Sequence, residues 1–297
     1  MRHFTEIDDL SATELARVLE LASAVASPTL LTGRGVALIF EKPSARTRNS
    51  MEMAVVQLGG HPVYISDDEV GLDRRESVED VTRVMAGFHA AIGARVFSQS
   101  VVERMAAVDL VPVVNLLSDR GHPMQALADL LTVQQEFGGL AGRSVAFVGD
   151  ANNVAFSLAL GAGLAQMKFR IASPGGYAFS ESDLERIAMV NAPKVFKRAE
   201  EAVDGADVVY TDTWTSMGQE DEAAQRRRDF EGFRVDDKMM EAASAQAVFL
   251  HCLPAHRNEE ATDAVLDGPN SRIWVQAANR MHAARGLLVW LLGEANR

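Results

Sequence analysis

The chain has 297 residues, 47% of them hydrophobic, and a formal net charge of -12. At roughly 150 residues per domain this length implies two domains, and the acidic balance argues against nucleic acid, which needs a basic face. A single cysteine, Cys252, excludes an internal disulfide and suits a reducing compartment. An anionic substrate would need a local cluster of arginines working against the global field. The opening MRHFTEIDDLSATELARVLELA carries acidic residues and helical periodicity where a signal peptide needs an apolar run. No window reaches the ~20 apolar residues of a membrane span. The expectation is a soluble cytoplasmic protein.

In chain order, Val36 to Phe40 reads as a buried strand that stops at Glu41-Lys42-Pro43 and gives way to Ser44-Ala45-Arg46-Thr47-Arg48. An amphipathic helix follows, ending at Gly59-Gly60. A strand end that feeds a helix start gathers free N–H groups and the positive end of a dipole, which suits an anion. Guanidinium forks and hydroxyls beside it make phosphate the natural guess. A solvated helix start capped by Ser44 or Thr47 is the plainer alternative, but arginine in a first turn is disfavoured unless an anion joins it. Further strands are expected at Pro62 to Ile65, Ala91 to Phe97 and Val111 to Leu116, with a helix from Ser77 to Phe88. Pro123 fits a first helical position, which makes His122 the N-cap and aims His122 and Gln125 at one strand-to-helix edge; Gln125 could equally close the cap. The helix Pro123 to Phe137 runs into the Gly-rich break Gly138 to Ser144. The expected domains are therefore 1–137 and 138–276.

In the second half SVAFVGDANNV reads as a strand ending at Gly149-Asp150, with Asn152-Asn153 at a helix start and no G-x-G-x-x-G dinucleotide fingerprint. In GADVVYTDTWTSMG a strand ends at Asp212. Asp212 suits an ammonium, and Ser216 with turn amides suits a carboxylate, together a receptor for an amino acid's α-carbon. AQAVFLHCLPAHR ends a strand at His251-Cys252; with one cysteine and no set of zinc-ligand spacings, no metal or cofactor is expected. The basic cluster Gln225 to Phe230 reads as a solvated loop. Ala277 to Leu292 reads as an apolar helix that returns to the first domain, with the cation Arg280 near its start, where the dipole calls for an anion or the side chain snorkels. This alternation gives the α/β class: two doubly wound parallel-sheet domains with ligands outside the carboxyl ends of the strands.

Four motifs in order carry a resemblance. Ser44 to Arg48 resembles S-T-R-T-R, His122 to Gln125 resembles H-P-x-Q, Asp212 to Gly218 resembles D-x-x-x-S-M-G, and His251 to Pro254 matches H-C-L-P. The chain thus resembles the ornithine carbamoyltransferase family, within the aspartate/ornithine carbamoyltransferase superfamily, and its S-M-G loop resembles the ornithine-specific branch.

The resemblance implies an active site in the cleft between the domains. It implies transfer of the carbamoyl group of carbamoyl phosphate to the δ-amine of L-ornithine, giving L-citrulline and phosphate, in arginine metabolism. Arg46, Thr47 and the amides from Ser44 and Ala45 would hold the phosphate with Arg95. His122 would donate to the carbamoyl oxygen, Gln125 and the Cys252-Leu253 backbone would take the carbamoyl amide, and Arg280 would complete the cage. Asn153, Asp212, Ser216 and the Met217 amide would hold the α-groups of ornithine. Arg46, Arg95, His122, Cys252 and Arg280 are the catalytic candidates. The resemblance further implies a homotrimer or a multiple of trimers. Three positions depart from the family pattern: Ala45 replaces a Thr, Val81 stands where Thr is frequent, and Gly71 replaces the Gln or His that reaches a neighbouring subunit, a role Asp73 and Arg74 could take over. A carbamoyltransferase for another diamino acid or diamine, or a non-catalytic binding protein, are the competing readings.

Overall fold

The computed structural model describes residues 1–24, 28–215 and 220–296. The chain divides into two compact units, Met1–Leu131 with Ala278–Arg297, and Thr132–Ala277. The first division falls inside the helix Pro123–Phe137 and the second inside the helix Ile273–Trp290, so neither lies at a loop.

The first unit holds a four-stranded sheet of β1 (Gly35–Phe40), β2 (His61–Ser66), β3 (His89–Arg95) and β4 (Val113–Leu117). Its order is β2-β1-β3-β4 and every pairing is parallel. Such strands are covered on both faces, which is why β1 reads as the unbroken apolar run GVALIF. The order reverses between β1 and β3. In doubly wound sheets that reversal opens a crevice outside the carboxyl ends of the two strands, where ligands bind.

The second unit repeats the logic with β5 (Ser144–Val148), β6 (Lys168–Ala172), β7 (Lys194–Phe196), β8 (Val208–Thr211) and β9 (Val248–His251), all parallel, in the order β7-β6-β5-β8-β9. Here the order reverses between β5 and β8. Their last residues are followed by Asp150 to Asn152 and by Asp212, so the topology sets these polar residues side by side.

Several sequence expectations need correction. Beside the three strands named from the sequence, the second unit has two more, β6 and β7. The expected strand Ala91 to Phe97 spans His89–Arg95, leaving Phe97 59% exposed beyond it. The last helix begins earlier, at Ile273, and gives way after Trp290 to a π-helical turn, Leu291–Ala295. Gln225 to Phe230 is no solvated loop: it lies mostly in the helix Ala223–Asp229, and Arg226 is buried. Among the described residues no helix is long and apolar enough to cross a membrane.

Candidate active site

At the β1 end, Ser44 caps the helix Ala45–Gln57, its Oγ accepting from the Thr47 amide at 3.3 Å. The free N–H groups of that first turn thus face the carboxyl edge of the sheet. Arg95 is the last residue of β3, and its carbonyl accepts from the Glu41 amide at 2.9 Å, which ties the ends of β1 and β3 together. Thr47 is buried and its Oγ1 collects Arg280 Nη2 at 2.6 Å, Arg95 Nη1 at 3.4 Å and the Ser44 hydroxyl at 3.2 Å. Two guanidiniums only 4% and 6% exposed therefore meet at one helix start.

His122 precedes Pro123, and its carbonyl receives the Gln125 and Ala126 amides, so it is the N-cap expected from the sequence. Burial, then Arg280, Arg95 and Lys42, hold its imidazole well below its ordinary pKa. The ring is neutral at physiological pH and keeps one N–H to donate. Gln125 does not close the cap: its Nε2 donates to Asp129 at 2.8 Å, while its buried Oε1 accepts nothing among the described residues. That oxygen is an acceptor suited to an amide N–H. Arg46 and Ala45 are exposed, and Arg46 makes no hydrogen bond or ion pair with a described residue. Lys42, which sequence reasoning passed over, lies with its Nζ 4.9 Å from the Phe97 ring centroid. Burial and then Arg95 lower its pKa, against Asp119 and Glu41. Its signal was a lysine between a strand end and a cap.

In the second unit Asn152 caps the helix Asn153–Leu164, its Oδ1 accepting from Val154 and Ala155 amides at 3.0 and 3.1 Å. Its Nδ2 donates to Asp212 Oδ2 at 2.8 Å. Asp212 Oδ1 accepts from the Thr213 amide at 2.7 Å and from the Cys252 thiol at 2.9 Å. Thus Asp212 and Cys252 are brought together, with Asn152 fixing the carboxylate and Asn153 next to it on the helix start. His251 Nδ1 accepts from the Leu253 amide at 2.9 Å, so its Nε2–H faces Glu260 Oε1 at 3.0 Å. With its N–H so committed, Leu253 offers a ligand its carbonyl. Asp212, His251 and Cys252 place ligand atoms within 4.8 Å of one another, but both His251 nitrogens and the thiol proton are already engaged within the protein. Ser216 and Met217 lie outside the described residues.

The loop after β2 explains one departure. Gly71 ends the short helix Asp67–Val70 at φ 55°, its N–H bonded to the Asp67 carbonyl. A side chain there would meet Arg75 Cβ at 3.0 Å in a left-handed conformation that glycine alone adopts easily. Asp73 pairs with Arg104, and Arg74 with Asp67.

Both crevices thus lie at the reversal points of their sheets, one cationic with a neutral histidine and one built around a fixed carboxylate. The carbamoyl-P binding domain of aspartate/ornithine carbamoyltransferases matches residues 2–135, and their Asp/Orn binding domain matches residues 141–291. The chain belongs to the aspartate/ornithine carbamoyltransferase family. The ornithine carbamoyltransferase of Thermus thermophilus is 49% identical over 283 residues, which cover 94% of this chain and 93% of that protein. A solved structure of ornithine carbamoyltransferase from Thermus thermophilus has a TM-score of 0.90 at 44% identity, covering 98% of this chain and 99% of that one. The ornithine carbamoyltransferase of Pyrococcus furiosus has a TM-score of 0.94 at 40% identity, covering 99% and 97%. In family terms Ser44, Thr47, Arg95 and His122 fall in the stretch matched by the carbamoyl-P binding domain, and Asp212 and Arg280 in the stretch matched by the Asp/Orn binding domain.

Proposed function

We propose that the protein transfers the carbamoyl group of carbamoyl phosphate to the δ-amine of L-ornithine, forming L-citrulline and phosphate. The observation that carries this reading is the meeting of Arg95 and Arg280 on Thr47 at a capped helix start, beside a histidine kept neutral by burial and then by their field. Phosphate sits against Arg95, Thr47, the first-turn amides and Arg46, which has no other described partner to give up. His122, Arg280 and Arg46 donate to the carbamoyl oxygen, while Gln125 Oε1 and the Cys252 and Leu253 carbonyls accept from the carbamoyl amide. Asp212 receives the α-ammonium of ornithine with Asn153, and Ser216 and the Met217 amide take the α-carboxylate.

The neutral δ-amine attacks the carbamoyl carbon, and negative charge develops on the carbonyl oxygen, where preorganised donors are worth most. As the tetrahedral centre collapses, the C–O bond to phosphate breaks, phosphate keeps the electron pair, and the amine proton passes to it. No residue of the described site needs to act as a strong base. We place the reaction in the cytoplasm, in line with the lone Cys252. The assembly is a homotrimer or a multiple of one; exposed Met53 and Val56 on the helix Ala45–Gln57, and Val84 and Phe88 on the helix Val78–Phe88, supply apolar area for such contacts. Purified protein given carbamoyl phosphate and ornithine should yield citrulline in a colorimetric assay and leave putrescine or lysine far less carbamoylated. Tight binding of both ligands without citrulline would instead favour a binding protein.

A further inference from the structure

Arg226 sits inside the run Gln225 to Phe230, yet it is only 5% exposed. Its Nη1 donates to Asp150 Oδ2 at 2.7 Å and to the Trp214 carbonyl at 2.9 Å, and its Nε donates to Glu222 at 2.9 Å. The guanidinium lies 4.9 Å from the ring centroid of Tyr177, whose hydroxyl donates to Asp229 on the same helix at 2.8 Å. Asp150 stands two residues before Asn152, and Trp214 two residues after Asp212. One side chain therefore grips both backbone segments that carry the Asn152–Asp212 hydrogen bond.

We propose that Arg226 is a positioning residue for the amino-acid half of the site, holding the carboxyl ends of β5 and β8 so that Asp212 presents its carboxylate to the substrate ammonium. The inference rests on the transfer reading above and extends it to a residue that touches no substrate. Its planar guanidinium suits the task, since Nη1 carries two N–H bonds in fixed directions for the carboxylate and the carbonyl while Nε is held by Glu222, where lysine is a point charge on a flexible stem. The electrostatics agree. Burial pushes the Asp150 carboxyl above its ordinary pKa, Arg226 pulls it back, and the neighbouring Asp212 opposes that. Without Arg226, the half-buried Asp150 carboxylate is left to repel the buried Asp212 carboxylate at the edge where an ammonium must dock.

The test is steady-state kinetics on wild type, Arg226→Lys and Arg226→Met, with calorimetric titration of carbamoyl phosphate and of L-ornithine. Arg226→Met should raise KM for ornithine by about tenfold or more, the size expected for losing a charged hydrogen bond that orients the site. Affinity for carbamoyl phosphate should be unchanged and Arg226→Lys should fall between. An unchanged ornithine KM overturns the proposal, as does a parallel loss of carbamoyl phosphate affinity, which would mark general loosening. If Arg226→Met does not fold, the same split in Arg226→Lys decides. Wild type that forms no citrulline defeats the transfer reading separately, and the ornithine titrations then decide the role of Arg226.

Discussion

The oxygen of Thr47 is a shared acceptor for two guanidiniums that would otherwise repel each other. It thereby fixes where Arg95 and Arg280 point before any anion arrives. Arg46 differs, since it is exposed and engages no described residue, so its contribution comes only with the substrate. Arg46→Ala should accordingly leave the unfolding midpoint unchanged and lower kcat by about 100-fold or more, as loss of an oxyanion donor does; citrulline assays beside urea titrations check both halves. His122 supplies a pH signature of the opposite kind. Its folded pKa is depressed below the ordinary 6.5, so below that pH the unfolded chain binds a proton that the native chain refuses. This contribution to stability is present above about pH 6.5 and lost as pH falls. His89 and His282 are depressed by burial as well and add with the same sign. The urea midpoint should thus drop between pH 7 and pH 5, and His122→Asn should make the drop smaller.

Among elements, the helices Ala12–Ser23 and Ile273–Trp290 approach closely at Gly286. A Cβ on Gly286 would lie 2.5 Å from the Ala22 nitrogen and 2.7 Å from the Val18 carbonyl oxygen, backbone atoms that cannot swing away. Arg285 adds two donors at 2.8 Å to the Ala22 and Ala24 carbonyls, closing the end of the first helix. Gly286→Ala gains ~1 kcal/mol of helix propensity, but overpacking a site that cannot relax costs about 1–3 kcal/mol. Chemical denaturation should therefore show net destabilisation. The pattern of misses in the sequence has the same physical root. β1, β5, β8 and β9 announce themselves as apolar runs because both of their faces are covered. β6 reads KFRIA with Lys168 exposed, and β7 is a three-residue strand at the sheet edge, so neither shows the run. Ser44, Thr47, His122 and Asp212 were legible because strand ends and caps carry local signatures, whereas Arg95, inside an expected strand, entered only through the family resemblance. Arg226 was not, since a run of three arginines looks solvated and its carboxylate partner Asp150 lies 76 residues away. For Gln125 the sequence left cap closure open beside a ligand role, and only the fold reveals Asp129 as the group its amide serves.

For the molecule as a whole, 41 acidic side chains stand against 29 basic ones. Long-range attraction cannot deliver a phosphorylated substrate to such a surface, so recognition must come from the cationic crevice, within roughly the 10 Å over which charges act at 0.1 M salt. The two sheets divide the labour, one gathering cations at the β1 and β3 ends, the other presenting a fixed carboxylate at the β5 and β8 ends. The choice of nucleophile is the feature on which everything else depends, and label transfer reads it directly. Carbon-13 carbamoyl phosphate is incubated with the protein and an equimolar mixture of L-ornithine and L-aspartate, and the products are followed by carbon NMR. The label should appear in the ureido carbon of citrulline, at a rate proportional to enzyme, with carbamoyl aspartate at the uncatalysed level. Enzyme-dependent labelling of aspartate, or decay of the label without citrulline, would contradict the assignment.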